Sequence, residues 1–197
     1  MKNKNQEFEP LFKADKDWQC NACINWSYDP IEVYTIGYKE AADSLVKKII
    51  RTKRNQDTLV YPICFLYRQY IELRLKEVIR SGRVLLDEGK SFPHHHKIKS
   101  LWQTAKGIIN KVFPNDSKSP ELLLVEHLIT EFANLDPDSF AFRYPMDKTG
   151  NNPLEGMYHI NLRHLFNCIN KFGDVIELIS NAISVEIDIK REIKSYY

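Results

Sequence analysis

The chain has 197 residues, of which 43% are hydrophobic and 27% charged, the profile of a soluble globular protein with one domain. Lys and Arg number 28 against 26 Asp and Glu, so the net charge is only +2. That balance excludes binding by bulk positive charge but not by a local basic patch. No apolar stretch approaches the ~20 residues of a membrane span. Residues 1–17 carry four basic and four acidic groups and lack the apolar core of a secretory signal. A cytoplasmic location with no membrane partner is therefore expected.

The first 28 residues read as a polar arm dotted with Trp18, Trp26 and Tyr28, and residues 29–197 as the body. The first helix start is Asp29-Pro30-Ile31-Glu32, a cap residue, a first-turn proline and an acid that can bond back to the cap. That helix is expected to reach about Arg51. A second runs from about Thr58 to Ser81, with Ile63, Leu66, Tyr70, Leu73 and Ile79 at helical spacing and Gly82 as its stop. A third covers about 97–112 and ends near Pro114. Ser119-Pro120-Glu121 opens a fourth, which closes at the turn Asp136-Pro137-Asp138. The run 140–145 and the run 157–160, separated by a turn-rich stretch, read as a small β-hairpin or a pair of extended segments. A last helix starts near Asn161 and continues to about Lys194. The expected fold is an all-α antiparallel bundle of about five helices with a small hairpin or extended insertion near 140–160.

Five constellations carry polar chemistry. Arg68, Glu72 and Lys76 stand at i, i+4 and i+8 and form one polar stripe on the second helix. A solvated face of ion pairs accounts for such a stripe, and so does a stripe that faces a ligand groove. His94-His95-His96 reads as a surface loop, but His96 opens the third helix and could stand beside Glu72, where an imidazole suits acid–base work. Phe142-Arg143-Tyr144-Pro145 and Tyr158-His159 form the third group. If the two runs pair around a turn near Asn151, positions 143 and 159 face each other. An Arg can fork a phosphate and a His can move a proton, although an Arg that only holds its loop is the plainer reading. Cys20 and Cys23 form a C-x2-C pair, half a zinc site, with no second half at zinc-finger spacing, so two incidental thiols are expected. Cys64 and Cys168 fall in apolar helical patterns and read as reduced. Finally, Lys47, Lys48, Arg51, Lys53 and Arg54 end the first helix, where cations complement its dipole or meet a phosphate backbone. The chain has no P-loop, dinucleotide glycine fingerprint, H-E-x-x-H or G-x-S-x-G, so neither a cofactor nor a metal is implied.

Four segments in order, FLYRQYIELRLKEVI (65–79), HKIKSLW (96–102), LDPDSFAFRYP (135–145) and HINLRHL (159–165), together resemble a HEPN-type domain. The resemblance covers about residues 30–185. It implies an antiparallel helical bundle, usually dimeric. It further implies a metal-independent endoribonuclease of a bacterial toxin–antitoxin or antiphage defence system, or a catalytically silent relative that binds a nucleotide or a partner protein such as an antitoxin. The family's ribonuclease motif is R-x4-6-H. Here Arg143 precedes His159 by 16 residues, and Arg163 and His164 are adjacent. Under the ribonuclease reading Arg143 stabilises phosphate charge, His159 or His96 is the base, and Glu72 orients a His or an Arg. Arg68 and Lys76 complete the ligand-binding groove. Under the binding reading Arg68, Glu72, His96 and Arg143 share one groove that holds a nucleotide. A third reading makes the chain an assembly subunit that dimerises and docks a larger partner through its aromatic arm.

Overall fold

The computed structural model describes residues 9–116 and 118–196. The chain divides into two units, Met1–Pro30 and Ile31–Tyr197. In the described part of the first, a single 3-10 turn at Trp18–Cys20 is the only helical element, and Asn21 braces it by exchanging hydrogen bonds with the Asp15 backbone. Trp18, Trp26 and Tyr28 are exposed.

The second unit is built from five α-helices: α1 (Pro30–Thr52, its first residue at the division), α2 (Gln56–Leu85), α3 (Ile98–Val112), α4 (Pro120–Leu135) and α5 (Leu162–Ser195). No β-strand occurs among the described residues. The all-α expectation holds, and all five starts fall within two residues of the sequence reading. Local chemistry explains two of these starts. The Ser119 hydroxyl accepts the Leu122 N–H at 3.3 Å, and the Asn161 side chain accepts the His164 N–H at 3.0 Å. Each satisfies an amide that the first turn leaves without a partner.

The helix α2 lies at the centre and packs on both α3 and α5, while α4 joins the same two neighbours. Its buried residues include Ile63, Tyr67, Ile71, Leu75, Val78 and Ile79, which meet Leu101, Trp102 and Ile108 of α3 and Phe172 and Ile176 of α5 in one core. Gly82 does not stop α2. The helix continues to Leu85, and Gly82 is buried where a Cβ would stand 2.2 Å from Ile108 Cγ2. The residue is glycine because α3 crosses too close for a side chain, not because the backbone turns there. On the other flank a Cβ at Gly173 would stand 2.7 Å from the Tyr70 hydroxyl. Pro62 lies inside α2 rather than at its start. It is exposed and removes one backbone hydrogen bond near the helix beginning.

The expected hairpin is absent. Residues 136–161 form a chain of turns instead. Asp136, 1% exposed, takes the N–H groups of Phe140 and Ala141 on one carboxylate oxygen, at 2.6 and 3.0 Å. Arg143 N–H then donates to the Phe140 carbonyl, which closes a turn where a strand would leave those groups for a neighbour. Further along, Asp147 accepts from Thr149 N–H, the Thr149 hydroxyl and Asn151 N–H, and Gly150 and Gly156 adopt left-handed φ of 86° and 82°. Side-chain capture of local amides outcompetes ladder formation in this segment.

Candidate functional site

Two polar sites lie along α2, one buried at its middle and one open at its start.

The buried site is the stripe Arg68, Glu72 and Lys76. Relative exposures of 0%, 2% and 6% remove the solvated-face reading. Glu72 is the hub. Its Oε2 accepts from Arg68 Nη1 at 3.2 Å, and its Oε1 lies 2.8 Å from both Lys76 Nζ and His96 Nδ1. Arg68 also donates to the His96 carbonyl at 2.6 Å and, more weakly, to the Asp136 carbonyl at 3.4 Å. The guanidinium thereby ties α2 both to the loop that precedes α3 and to the end of α4. Gln69, one residue on, donates to the Ser139 hydroxyl at 2.8 Å.

Burial alone would raise the Glu72 carboxyl. The hydrogen bonds from Lys76 and His96, with the charges of Lys76 and Arg68, outweigh it and hold the group below the ordinary carboxylate value. Burial lowers the Arg68 guanidinium, and the Glu72 and Asp136 carboxylates oppose that shift. One carboxylate shared by two cations and an imidazole is a paired network, which costs far less to bury than an unpaired charge. His96 is its exposed member, with 66% of its side chain accessible while Nδ1 stays on Glu72.

The open site is a cleft of about 750 Å³ between the start of α2 and the turn segment 141–160. Both Arg143 and His159 line it. The turns, and not a strand ladder, carry both into its lining. Arg143 is held from the side, its guanidinium 5.7 Å from the ring centres of Phe65 and of Tyr144. That cation–π seat leaves its N–H groups without a hydrogen bond or ion pair among the described residues. Tyr61, Tyr144 and Tyr158, all exposed, add three phenol rings to the lining. Asp57 supplies a carboxylate from the first turn of α2.

The six residues singled out in the sequence thus fall into two groups. Arg68, Glu72, Lys76 and His96 share the buried network. Arg143 and His159 share the cleft, whose lining includes none of the other four. A single groove holding Arg68, Glu72, His96 and Arg143 is not formed. Sequence reasoning missed Asp136, which joins the two sites: its carbonyl receives Arg68 and its carboxylate shapes the turn that carries Arg143. The available signal was an Asp directly after a helix and before Pro-Asp, a position from which its side chain can cap following amides. Asp136 Oδ2 is buried without a hydrogen-bond partner among the described residues.

The remaining candidates separate likewise. Cys20 and Cys23 are exposed free thiols, Cys64 is buried and Cys168 partly so. Burial pushes the Cys64 thiol up to about 12, so it is unreactive near neutrality. No group of three His, Cys, Asp or Glu placed to hold a metal ion occurs among the described residues. In the basic run, Lys47 lies over the Phe166 ring, and Lys53 takes a left-handed φ of 55° just past the end of α1. No described helix is long and apolar enough to cross a membrane.

No protein-family model, curated protein or solved structure matches the chain.

Proposed function

We propose that the cleft binds single-stranded RNA and that the protein is a metal-independent endoribonuclease of HEPN type. The observation that carries this reading is one cleft lined by both an unpaired guanidinium and an imidazole, Arg143 and His159, among exposed tyrosine rings. Each part suits the ligand. Rings stack on unpaired bases, and a guanidinium forks the non-bridging oxygens of a phosphate. His159 takes the proton of a ribose 2′-OH, whose oxygen attacks the adjacent phosphorus. The 5′-oxygen leaves and gains a proton from water. The products are a 2′,3′-cyclic phosphate and a 5′-hydroxyl. Arg143 stabilises the charge that builds on the phosphate. Glu72, Arg68 and Lys76 act from beneath, as the frame under the loop that carries Arg143. On the same reading the protein works as a cytoplasmic homodimer in a bacterial defence or toxin–antitoxin system, with an antitoxin as protein partner.

A second reading has its own support. The cleft lining contains one imidazole, and the Glu72–His96 pair, the better-anchored proton carrier, is not part of it. A catalytically silent module that holds a nucleotide would need no more than this.

Incubating purified protein with RNA in EDTA, beside Arg143→Ala, separates the two. Cleavage with cyclic-phosphate ends, lost in the variant, is expected for the enzyme. Arg143-dependent binding without cleavage selects the module. Cleavage that persists in Arg143→Ala rejects the assignment of the site.

A further inference from the structure

We propose that the cleft selects guanine, through Asp57. This rests on the reading of the cleft as an RNA or nucleotide site and adds which base it takes.

Asp57 and Tyr61 stand at i and i+4 in the first two turns of α2, and both line the cleft. Residues at that spacing share a helix face. A base stacked on the Tyr61 ring can therefore present its edge toward the Asp57 carboxylate, while Arg143 and His159 line the cleft from the turn segment. Asp57 has no hydrogen bond or ion pair among the described residues, so both of its oxygens are open acceptors. An acid in the first turn of a helix also complements the helix dipole. That role stabilises the charge and leaves its outward lone pairs free.

A carboxylate offers two acceptors side by side and no donor. Among the four bases, guanine alone presents two adjacent donors on its pairing edge, N1–H and the N2 amino group. Adenine and cytosine each offer one amino group next to a ring nitrogen acceptor, which the second carboxylate oxygen repels. Uracil offers a single N3–H between two carbonyls, both repelled. An anionic group in a site for a polyanion also costs affinity for every RNA alike. Within the cleft, that loss is offset where one base returns it through paired hydrogen bonds.

Binding of four RNA pentanucleotides, UUGUU, UUAUU, UUCUU and UUUUU, tests this by equilibrium titration with wild type, Asp57→Asn and Arg143→Ala. The expected result is a preference of about tenfold or more for UUGUU, as a good bidentate pair gives. Asp57→Asn should remove the preference and slightly strengthen the other three. General electrostatics would shift all four together and leave their ratios unchanged, so the ratio is the reading that matters. Equal, Arg143-dependent binding of all four overturns the guanine assignment and leaves the phosphate site standing. A preference that survives in Asp57→Asn also overturns it. Binding of none overturns this inference together with the function on which it rests.

Discussion

The network around Glu72 and the cleft around Arg143 hold the same kinds of group, a guanidinium, an imidazole and a carboxylate, in opposite conditions. In the network every charge has an oppositely charged partner within 3.2 Å, and three of the four side chains are nearly inaccessible. In the cleft, Arg143 lies against two rings, and neither its guanidinium nor Asp57 has a hydrogen-bond or ion-pair partner among the described residues. Residue type therefore did not decide role. Satisfied valence marks the network as framework, and the open valence of the cleft is what the proposed ligand would use.

The sharpest break in that comparison is Glu72→Ala. It leaves Arg68 and Lys76 buried without their carboxylate, and a loss of about 3–5 kcal/mol of unfolding free energy is expected from urea denaturation. Asp136→Ala comes next. It strips the acceptor from two amides of the turn below Arg143, with an expected loss of about 2 kcal/mol and weaker RNA binding. A normal affinity in that variant would uncouple the two sites. Acid acts on the network more gently. Because the Glu72 carboxyl is held below its ordinary value of 4.5, its stabilisation is complete above that pH and is lost as pH falls through the lower folded-state value. Thermal melts taken from pH 6 downward should show it, and Glu72→Gln should flatten that part of the curve. The smallest change in stability belongs to Arg143→Ala, within about 0.5 kcal/mol of wild type, because its side chain is exposed. A clear drop in the melting temperature would mean that Arg143 is framework after all.

Much of the fold was legible because helix ends carry their own chemistry. Ser119-Pro120 and Asn161 announced α4 and α5, and helical spacing found three buried positions of α2, Ile63, Tyr70 and Ile79, but also named Leu66 and Leu73, which are only partly buried. Gly82 misled because a glycine near a helix end has two causes, a left-handed turn or a close neighbour, and only the position of Ile108 tells them apart. The run FAFRYP before a turn-rich stretch suggested a hairpin arm or extended segment, but Asp136 had already claimed the amides of Phe140 and Ala141. The stripe Arg68, Glu72 and Lys76 was visible as a pattern, yet the same spacing describes a wet face and a dry one. What made it dry is the loop before α3, which the sequence does not orient. His159 joined Arg143 in the cleft by way of turns, for a reason different from the register that had suggested the pair.

The two glycine contacts of α2 bear on motion. Tyr70 against Gly173 and Gly82 against Ile108 pin this helix on both flanks, about 18 Å apart along its axis. A helix held at two such points resists both sliding and rolling. The cleft sets the start of this helix, to one side of those contacts, against turns tied by local side-chain bonds. Hydrogen exchange should register the contrast as slow amides at 63–82 and fast amides at 146–158. A ligand that fills the cleft should slow the second set and leave the first as it was.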